Sequence, residues 1–244
     1  MNEQHILKSF DRDLEAIQAQ ILKMGGLVED AILQGSEALA ARDVEAADRV
    51  RLADKAIDAL EEQVNEEVAR TIALRAPMAA DLRILLSVLR LAAALERVGD
   101  YAKNIAKRVT VISEARGIEG ADASLRRMAR EVQGMLRDTL DAFVRRDAAL
   151  AREVLARDES VDQMYNALFR EILTFMLEDP RTITPSMHLH FIAKNLERMG
   201  DLVTNMAEQV VYLVTGEKPQ EDRPKGDRTA YIAGPEAGPD SGAP

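Results

Sequence analysis

Apolar residues recur every three or four positions over long stretches of the chain, which is the spacing of a helix that buries one face. The first series begins at Ile6 and predicts a helix over about 4–41. Asp43 is the expected N-cap of a second helix. Pro77 is typical of a first helical turn and predicts a third helix over about 78–114. The first half of the chain is therefore predicted to hold three long helices joined by short turns.

The same pattern starts again in the second half. Arg42-Asp43 returns 104 positions later as Arg146-Asp147, whereas motifs in the third helix return after 101 positions. We therefore expect the second half to lack three residues between its second and third helices, where loops tolerate deletions. Thr184 followed by Pro185 predicts an N-cap and the first turn of a sixth helix.

This repeat predicts an all-α fold of two tandem antiparallel three-helix bundles, with neighbouring helices joined by short turns. Gly117 and Gly120 separate the halves, and from Gly216 onward the chain has five glycines and five prolines without an apolar period. Such a segment cannot bury enough surface to order itself. The expected parts are a first bundle at 1–116, a second bundle at 117–216 and a disordered tail at 217–244.

Composition narrows the chemistry. The chain has no cysteine, so disulfides and thiolate metal sites are excluded, and oxygen and imidazole remain as ligands. The formal net charge of −10 argues against a general nucleic-acid binder, which needs a basic face. No run of 18 apolar residues occurs and the first residues do not resemble a signal peptide, so we expect a cytoplasmic protein without direct membrane insertion.

One motif, ERxGDxxxN, occurs twice. Its first copy runs from Glu96 through Asp100 to Asn104, and its second copy from Glu197 through Asp201 to Asn205. Positions i, i+4 and i+8 turn through about 80° on a helix, so each copy places its oxygen-bearing side chains on one narrow strip. On a helical-wheel projection these acids lie in line with the apolar core positions. Carboxylates there must be paired, hydrogen-bonded or bound to a cation.

The second helix of each half carries a matching strip with the same spacing of four. These residues are Asp54, Asp58 and Glu62 in the first half and Asp158, Asp162 and Asn166 in the second. Acids that face each other from two adjacent helices could enclose a cation with four or more oxygens. That ligand set suits magnesium, manganese, calcium or iron. Asn166 in place of Glu62 indicates that the two sites differ in charge.

Alternatives to a metal stay open. The acids could instead form salt bridges with the basic residues of the third and sixth helices, namely Arg97, Lys103, Lys107 and Arg198. His188 and His190 fit a capping or polar-core role better than a shared site, because His190 lies about 10.5 Å along the helix from Glu197. No Glu-x-x-His pair of a diiron bundle and no nucleophile motif is present.

These motifs and their flanks resemble the PhoU family of bacterial phosphate-signalling regulators. In the first half, Ala80-Asp81-Leu82-Arg83 leads into the first ERxGD copy. In the second half, Asp179-Pro180-Arg181-Thr182-Ile183 leads into the second copy. The resemblance covers about residues 4–215, and both copies of the motif stand in the same helical context.

The resemblance implies a tandem bundle whose acidic motifs bind divalent or trivalent metal ions, with iron, manganese, magnesium or zinc as candidates. Carried over to this sequence, the metal residues are Asp54, Asp58, Glu96, Asp100, Asp158, Asp162, Glu197 and Asp201. It also implies a regulator that restrains phosphate uptake and phosphate-starvation signalling. The expected partners are the ATPase subunit of the phosphate ABC transporter and a sensor histidine kinase, and we expect a homodimer.

Three functions remain in competition at this level. They are a metal-binding regulatory adaptor, a metal-dependent hydrolase of phosphorylated substrates, and a purely structural bundle. No general base stands beside the strips, which disfavours the hydrolase, although a metal-bound water needs few other groups. The adaptor is therefore the preferred hypothesis.

Overall fold

The structure is a computed structural model of the 244-residue chain and describes residues 3–114, 120–217 and 219, with only the backbone for 3–9. Within these ranges the long elements are six α-helices. They are α1 (Glu3–Ala41), α2 (Val44–Arg75), α3 (Ala80–Ser113), α4 (Ala121–Arg145), α5 (Ala148–Glu178) and α6 (Ile183–Thr215). The predicted all-α fold is confirmed.

The repeated Arg-Asp dipeptides form the turns between the first two helices of each half. The Asp43 side chain accepts a hydrogen bond from the Ala46 backbone N–H at 2.9 Å, and Asp147 caps α5 through Leu150 at 3.0 Å. The preceding Arg42 and Arg146 have φ of 54° and 55°, the left-handed conformation that ends a helix. The predicted N-cap at Asp43 is therefore confirmed.

The connections between the second and third helices of each half differ in detail from the prediction. Helix α3 begins at Ala80 and not at 78, and α6 begins at Ile183 after a short 3₁₀ turn, Pro180–Thr182. The Thr182 hydroxyl donates to the carbonyls of Phe175 and Asp179 and so folds the chain back. Thr184 lies inside the first turn of α6, so the predicted N-cap at Thr184 is wrong.

The predicted boundary between the bundles, at 116 and 117, falls in 115–119, outside the described residues. The predicted tail at 217–244 also lies outside them, apart from Glu217 and Pro219.

Helices α1, α2 and α3 pack together as a first bundle, and α4, α5 and α6 as a second. Cross-links such as Arg75 to Asp13 and Gln20 to Glu67 show that α1 and α2 run antiparallel. The bundles meet where α3 packs on α6 and α1 on α4. In the described part of the chain, α2 and α5 touch only their own bundle. No helix there is apolar enough over sufficient length to cross a membrane.

Two candidate cation-binding strips

The motif glycines let the outer helix of each bundle, α2 or α5, approach the central helix that carries the motif, α3 or α6. A Cβ at Gly99 would lie 3.0 Å from Ile57 Cδ1 and 3.6 Å from Asp54 Oδ1. A Cβ at Gly200 would lie 3.3 Å from Val161 Cγ1 and 3.7 Å from Asp158 Oδ1. The ERxGD motif therefore faces the acids of α2 in one bundle and of α5 in the other, as the sequence predicts.

The first strip consists of Asp54 and Asp58 on α2 with Glu96 and Asp100 on α3. Asp54 is buried, at 3% exposure, whereas Asp58 is exposed. Lys103 lies between the helices: its ammonium forms ion pairs with Asp54 and, at 3.1 Å, with Asp100 Oδ1. A lysine ammonium thus bridges one carboxylate from each helix.

Lys103 neutralises Asp54 and Asp100 but not the other two acids of the first strip, and the pKa shifts of the strip reflect this difference. The hydrogen bond to Asp54 raises the pKa of Lys103 above its ordinary range. Burial, and then the charge of Asp100, raise the pKa of Glu96. Although Asp58 as a whole is exposed, the partial withdrawal of its carboxyl from water, and then the charge of Asp54, raise its pKa. Negative charge is therefore crowded around Asp58 and Glu96, where the ionised forms are disfavoured.

The second strip consists of Asp158 and Asp162 on α5 with Glu197 and Asp201 on α6. Here the buried acids are Asp162, at 7% exposure, and Glu197, at 6%, and Asn166 is buried beside them. Lys194 Nζ bonds Glu197 Oε1 at 2.8 Å and lies 5.0 Å from the centre of the Tyr165 ring. The lysine of this strip thus meets a different member of the motif.

At the position of Lys103, the second bundle has Thr204, 101 residues later. The buried Thr204 hydroxyl donates to the Gly200 carbonyl at 2.8 Å and lies 3.1 Å from Asp158 Oδ1. Conversely, Lys194 has Ala93 as its counterpart. Sequence reasoning missed Lys194 and Thr204, although a comparison of the repeats outside the shared motif would have shown both exchanges.

The predicted salt bridges between the strips and nearby basic residues occur in part. Lys103 pairs with the strip, whereas Lys107 bonds Asn104 at 3.4 Å, and Arg97 and Arg198 lie exposed.

The two histidines of α6 lie in other surroundings. His190 packs among Tyr165, Phe169 and Phe191, with ring centroids 5.3–6.0 Å apart. Its pKa is lowered, first by burial. His188 lies 3.3 Å from Arg108, whose guanidinium stacks on Phe191. These contacts agree with the polar-core interpretation of His190.

The donor chemistry of both strips fits a hard cation, because every candidate ligand is a carboxylate oxygen. Asp100 and Glu61 also add negative charge beside both Asp58 and Glu96, which a cation would neutralise. As the side chains stand, no three acid or histidine residues within 3–114, 120–217 and 219 form a metal-holding group. The structure therefore joins Asp54 to Asp100 through Lys103 and places Asp158 beside Thr204 of the facing helix, while Lys194 bonds Glu197.

Comparison with known proteins identifies a family and relatives that match this chain. The family model described as PhoU domain matches the chain twice, at residues 21–109 and 125–210. The chain is 44% identical over 224 residues to a protein of Caulobacter vibrioides named phosphate-specific transport system accessory protein PhoU homolog, covering 92% of this chain and 97% of that protein. A protein of Rhizobium meliloti with the same name is 42% identical over 232 residues, covering 95% and 98%.

Solved structures agree with these matches. The crystal structure of PhoU from Pseudomonas aeruginosa superposes with a TM-score of 0.83 at 38% identity, covering 85% of this chain and 100% of that one. The phosphate transport system regulatory protein PhoU from Streptococcus pneumoniae gives a TM-score of 0.80 at 33% identity, with 87% and 100% covered. The six-helix arrangement is thus shared with both.

Proposed function

The chain belongs to the PhoU family, and on that premise we propose that it is a metal-binding regulatory adaptor of phosphate transport. It restrains phosphate uptake and phosphate-starvation signalling by contacting the ATPase subunit of the phosphate ABC transporter and a sensor histidine kinase. The names of its relatives, which describe accessory and regulatory proteins of phosphate transport, support this role.

The observation that carries the metal part of the proposal is the duplicated carboxylate strip between an outer and a central helix. Four acids in each bundle would hold the ions: Asp54, Asp58, Glu96 and Asp100 in the first, and Asp158, Asp162, Glu197 and Asp201 in the second. A bound cation would supply positive charge between two helices whose facing acids otherwise repel each other. The protein's own contribution is to hold those acids on rigid helices, with glycines that keep the helices close.

The adaptor role is non-catalytic in this proposal. A regulator works through surface complementarity, where charged patches select the partner and a wrongly placed like charge costs several kcal/mol. With a net charge of −10, the chain is suited to basic partner surfaces.

A genetic experiment tests the regulatory role. Deleting the gene in its host should derepress phosphate-starvation genes and high-affinity phosphate uptake in phosphate-replete medium. The purified chain should also retain the transporter ATPase subunit and the cytoplasmic part of the kinase in pull-downs. Normal repression in the deletion strain, together with no binding to either partner, would refute the adaptor proposal.

A biochemical experiment tests the metal part and the hydrolase alternative together. Glu197→Gln with Asp201→Asn should lower the divalent metal bound per chain while helicity stays nearly unchanged, because the amides keep shape and lose charge. Glu153→Gln, an exposed site on the same bundle, is the matched control. Unchanged metal content in the double variant would make these acids structural partners, and metal-dependent turnover of a phosphorylated substrate by the wild type would favour the hydrolase.

A further inference from the structure

Each strip contains two pairs of carboxylates that face each other across two helices. In the first bundle Lys103 joins Asp54 to Asp100. Ile57 of α2 also lies against Gly99 of α3, so the two helices run antiparallel, and with acids spaced by four the next pair along the strip is Asp58 with Glu96. By the repeat, the pairs of the second bundle are Asp158 with Asp201 and Asp162 with Glu197.

In each bundle a lysine bonds the most deeply buried carboxylate of the strip. Lys103 bonds the buried Asp54, and Lys194 bonds the buried Glu197. Physical chemistry explains the choice, because a buried carboxylate is the one that most needs an opposite charge. We call Asp54/Asp100 and Asp162/Glu197 the lysine pairs, and Asp58/Glu96 and Asp158/Asp201 the remaining pairs.

The lysine pairs lie at opposite ends of the two strips. Lys103 acts at the Asp of its ERxGD copy, whereas Lys194 acts at the Glu of the other copy. The position of Lys103 is taken in the second bundle by Thr204, a neutral hydroxyl beside Asp158. The two identical motifs are thus each neutralised by a lysine of the protein itself, but at a different acid of the motif.

We propose that Lys103 and Lys194 are built-in cations that each take the place of a metal ion, so that every strip accepts metal at its remaining pair alone. This inference rests on the metal binding proposed above and narrows the four candidate acids of each bundle to two. The first bundle accepts an ion at Asp58 and Glu96, and the second at Asp158 and Asp201. The residue at position 103 or 204, lysine or threonine, determines whether the pair beside it can bind metal.

Exchanging these two residues tests the proposal with each bundle as the template for the other. Lys103→Thr gives the first bundle the residue of the second, and Thr204→Lys does the reverse. The full-length chain is stripped with a chelator and titrated with Mn²⁺, and free Mn²⁺ is followed by electron paramagnetic resonance. We expect Lys103→Thr to gain a manganese site relative to the wild type and Thr204→Lys to lose one, because an added ammonium repels the ion.

Lys107→Thr is the matched control, since Lys107 lies one turn further along α3 and bonds Asn104. Its Mn²⁺ binding should equal that of the wild type. Circular dichroism melting confirms that each variant is folded; Thr204 is fully buried, so if Thr204→Lys does not fold, the gain expected for Lys103→Thr carries the test. Lys103 itself shows that a lysine at this helix position can reach the facing carboxylates.

The outcomes separate this inference from the proposed function. If the wild type binds Mn²⁺ but Lys103→Thr gains no site, or Thr204→Lys loses none, the assignment of the lysines is overturned and metal binding stands. If the wild type binds no Mn²⁺ and Lys103→Thr binds it, the sites at the remaining pairs and the metal part of the proposed function are overturned, and only the role of Lys103 as a substitute cation stands. If neither binds Mn²⁺, both are overturned.

Discussion

In the first bundle the buried acid of the strip is Asp54, at its Lys103 end, and Asp58 lies exposed one turn further along α2. In the second bundle Asp162 and Asn166, the counterparts of Asp58 and Glu62, are both buried, whereas Asp158 is only partly so. Equivalent residues of α2 and α5 face the two motif glycines, so the strips differ in which acids are withdrawn from solvent and not in the face that each helix presents. The same spacing of acids yields two electrostatic environments.

A further exchange between the repeats accompanies this difference in burial. Tyr165 is buried at 2% exposure, and its counterpart 104 positions earlier is Glu61. A large ring gains free energy by burial, and Tyr165 packs with His190 and Lys194 of α6, whereas the glutamate at the same place on α2 stays partly exposed. Internal repeats can thus keep a functional motif while neighbouring core residues decide which acids are desolvated.

The largest effects should come from removing the two lysines. Lys103→Met and Lys194→Met keep the alkyl stem and remove the charge, so each leaves a buried carboxylate without its ammonium. We expect the free energy of unfolding of the metal-free protein to fall by about 2–3 kcal/mol in each case, below the range for fully buried pairs because both lysines are partly exposed. Urea denaturation in the presence of a chelator measures this.

Lys55→Met, at an exposed position of α2, should change stability by less than about 0.5 kcal/mol and serves as the control. Adding Asp54→Asn to Lys103→Met should recover part of the loss, since the buried charge is then removed as well. A loss for Lys103→Met no larger than for Lys55→Met would show that the bridge between α2 and α3 contributes little.

A smaller effect is expected from exchanging the residues that distinguish the strips. Asn166→Glu places a carboxylate at a buried position next to Asp162, and should lower the free energy of unfolding by about 2 kcal/mol. Glu62→Asn, at the exposed counterpart, should stay within about 0.5 kcal/mol. Thermal or urea unfolding of both variants provides the comparison. Equal effects at the two positions would contradict the difference in burial.

The smallest expected effect is the pH dependence of the free energy of unfolding that Glu96 of the first strip causes. Because the pKa of Glu96 is raised in the folded state, its ionised form destabilises the metal-free protein above that pKa. The cost disappears as the pH falls through the raised pKa toward the ordinary carboxyl range. Glu96→Gln should therefore be more stable than the wild type at pH 7, by about 0.5 kcal/mol or less after solvent screening.

That difference should shrink as urea unfolding is repeated at lower pH. Glu66→Gln, on an exposed position of α2, is the control and should show no comparable gain. A gap for Glu96→Gln that widens on acidification would mean that Glu96 is stabilised, not strained, by its neighbours.

Most of the fold could be predicted from the sequence, because periodicity, caps and the internal repeat are local signals. The cap at Asp43 and the facing of both ERxGD copies toward α2 and α5 followed directly. The start of α6 could not, since it depends on the Thr182 hydroxyl reaching back to carbonyls of the preceding turn and helix.

The acids of the candidate site could be predicted from the sequence, but their arrangement in space could not. A helical wheel gives the angle between side chains on one helix but not the rotation of one helix against another. The burial of Asp162 and the position of Lys194 over Tyr165 depend on how the side chains of the two helices pack together. The sequence therefore showed which acids belong to each strip, but only the tertiary structure shows which of them a lysine neutralises.

Helices α2 and α5, which touch only their own bundles in the described part of the chain, are the natural units of local opening. Either could detach while the α3–α6 and α1–α4 contacts persist. A cation held across a strip would oppose that detachment by RT ln(1 + [L]/Kd), about 2.7 kcal/mol when the ion is at a hundred times its Kd. Hydrogen exchange in the outer helices would then slow as metal is added, and the ion supply of the cell would set how often the inner faces of α2 and α5 become accessible.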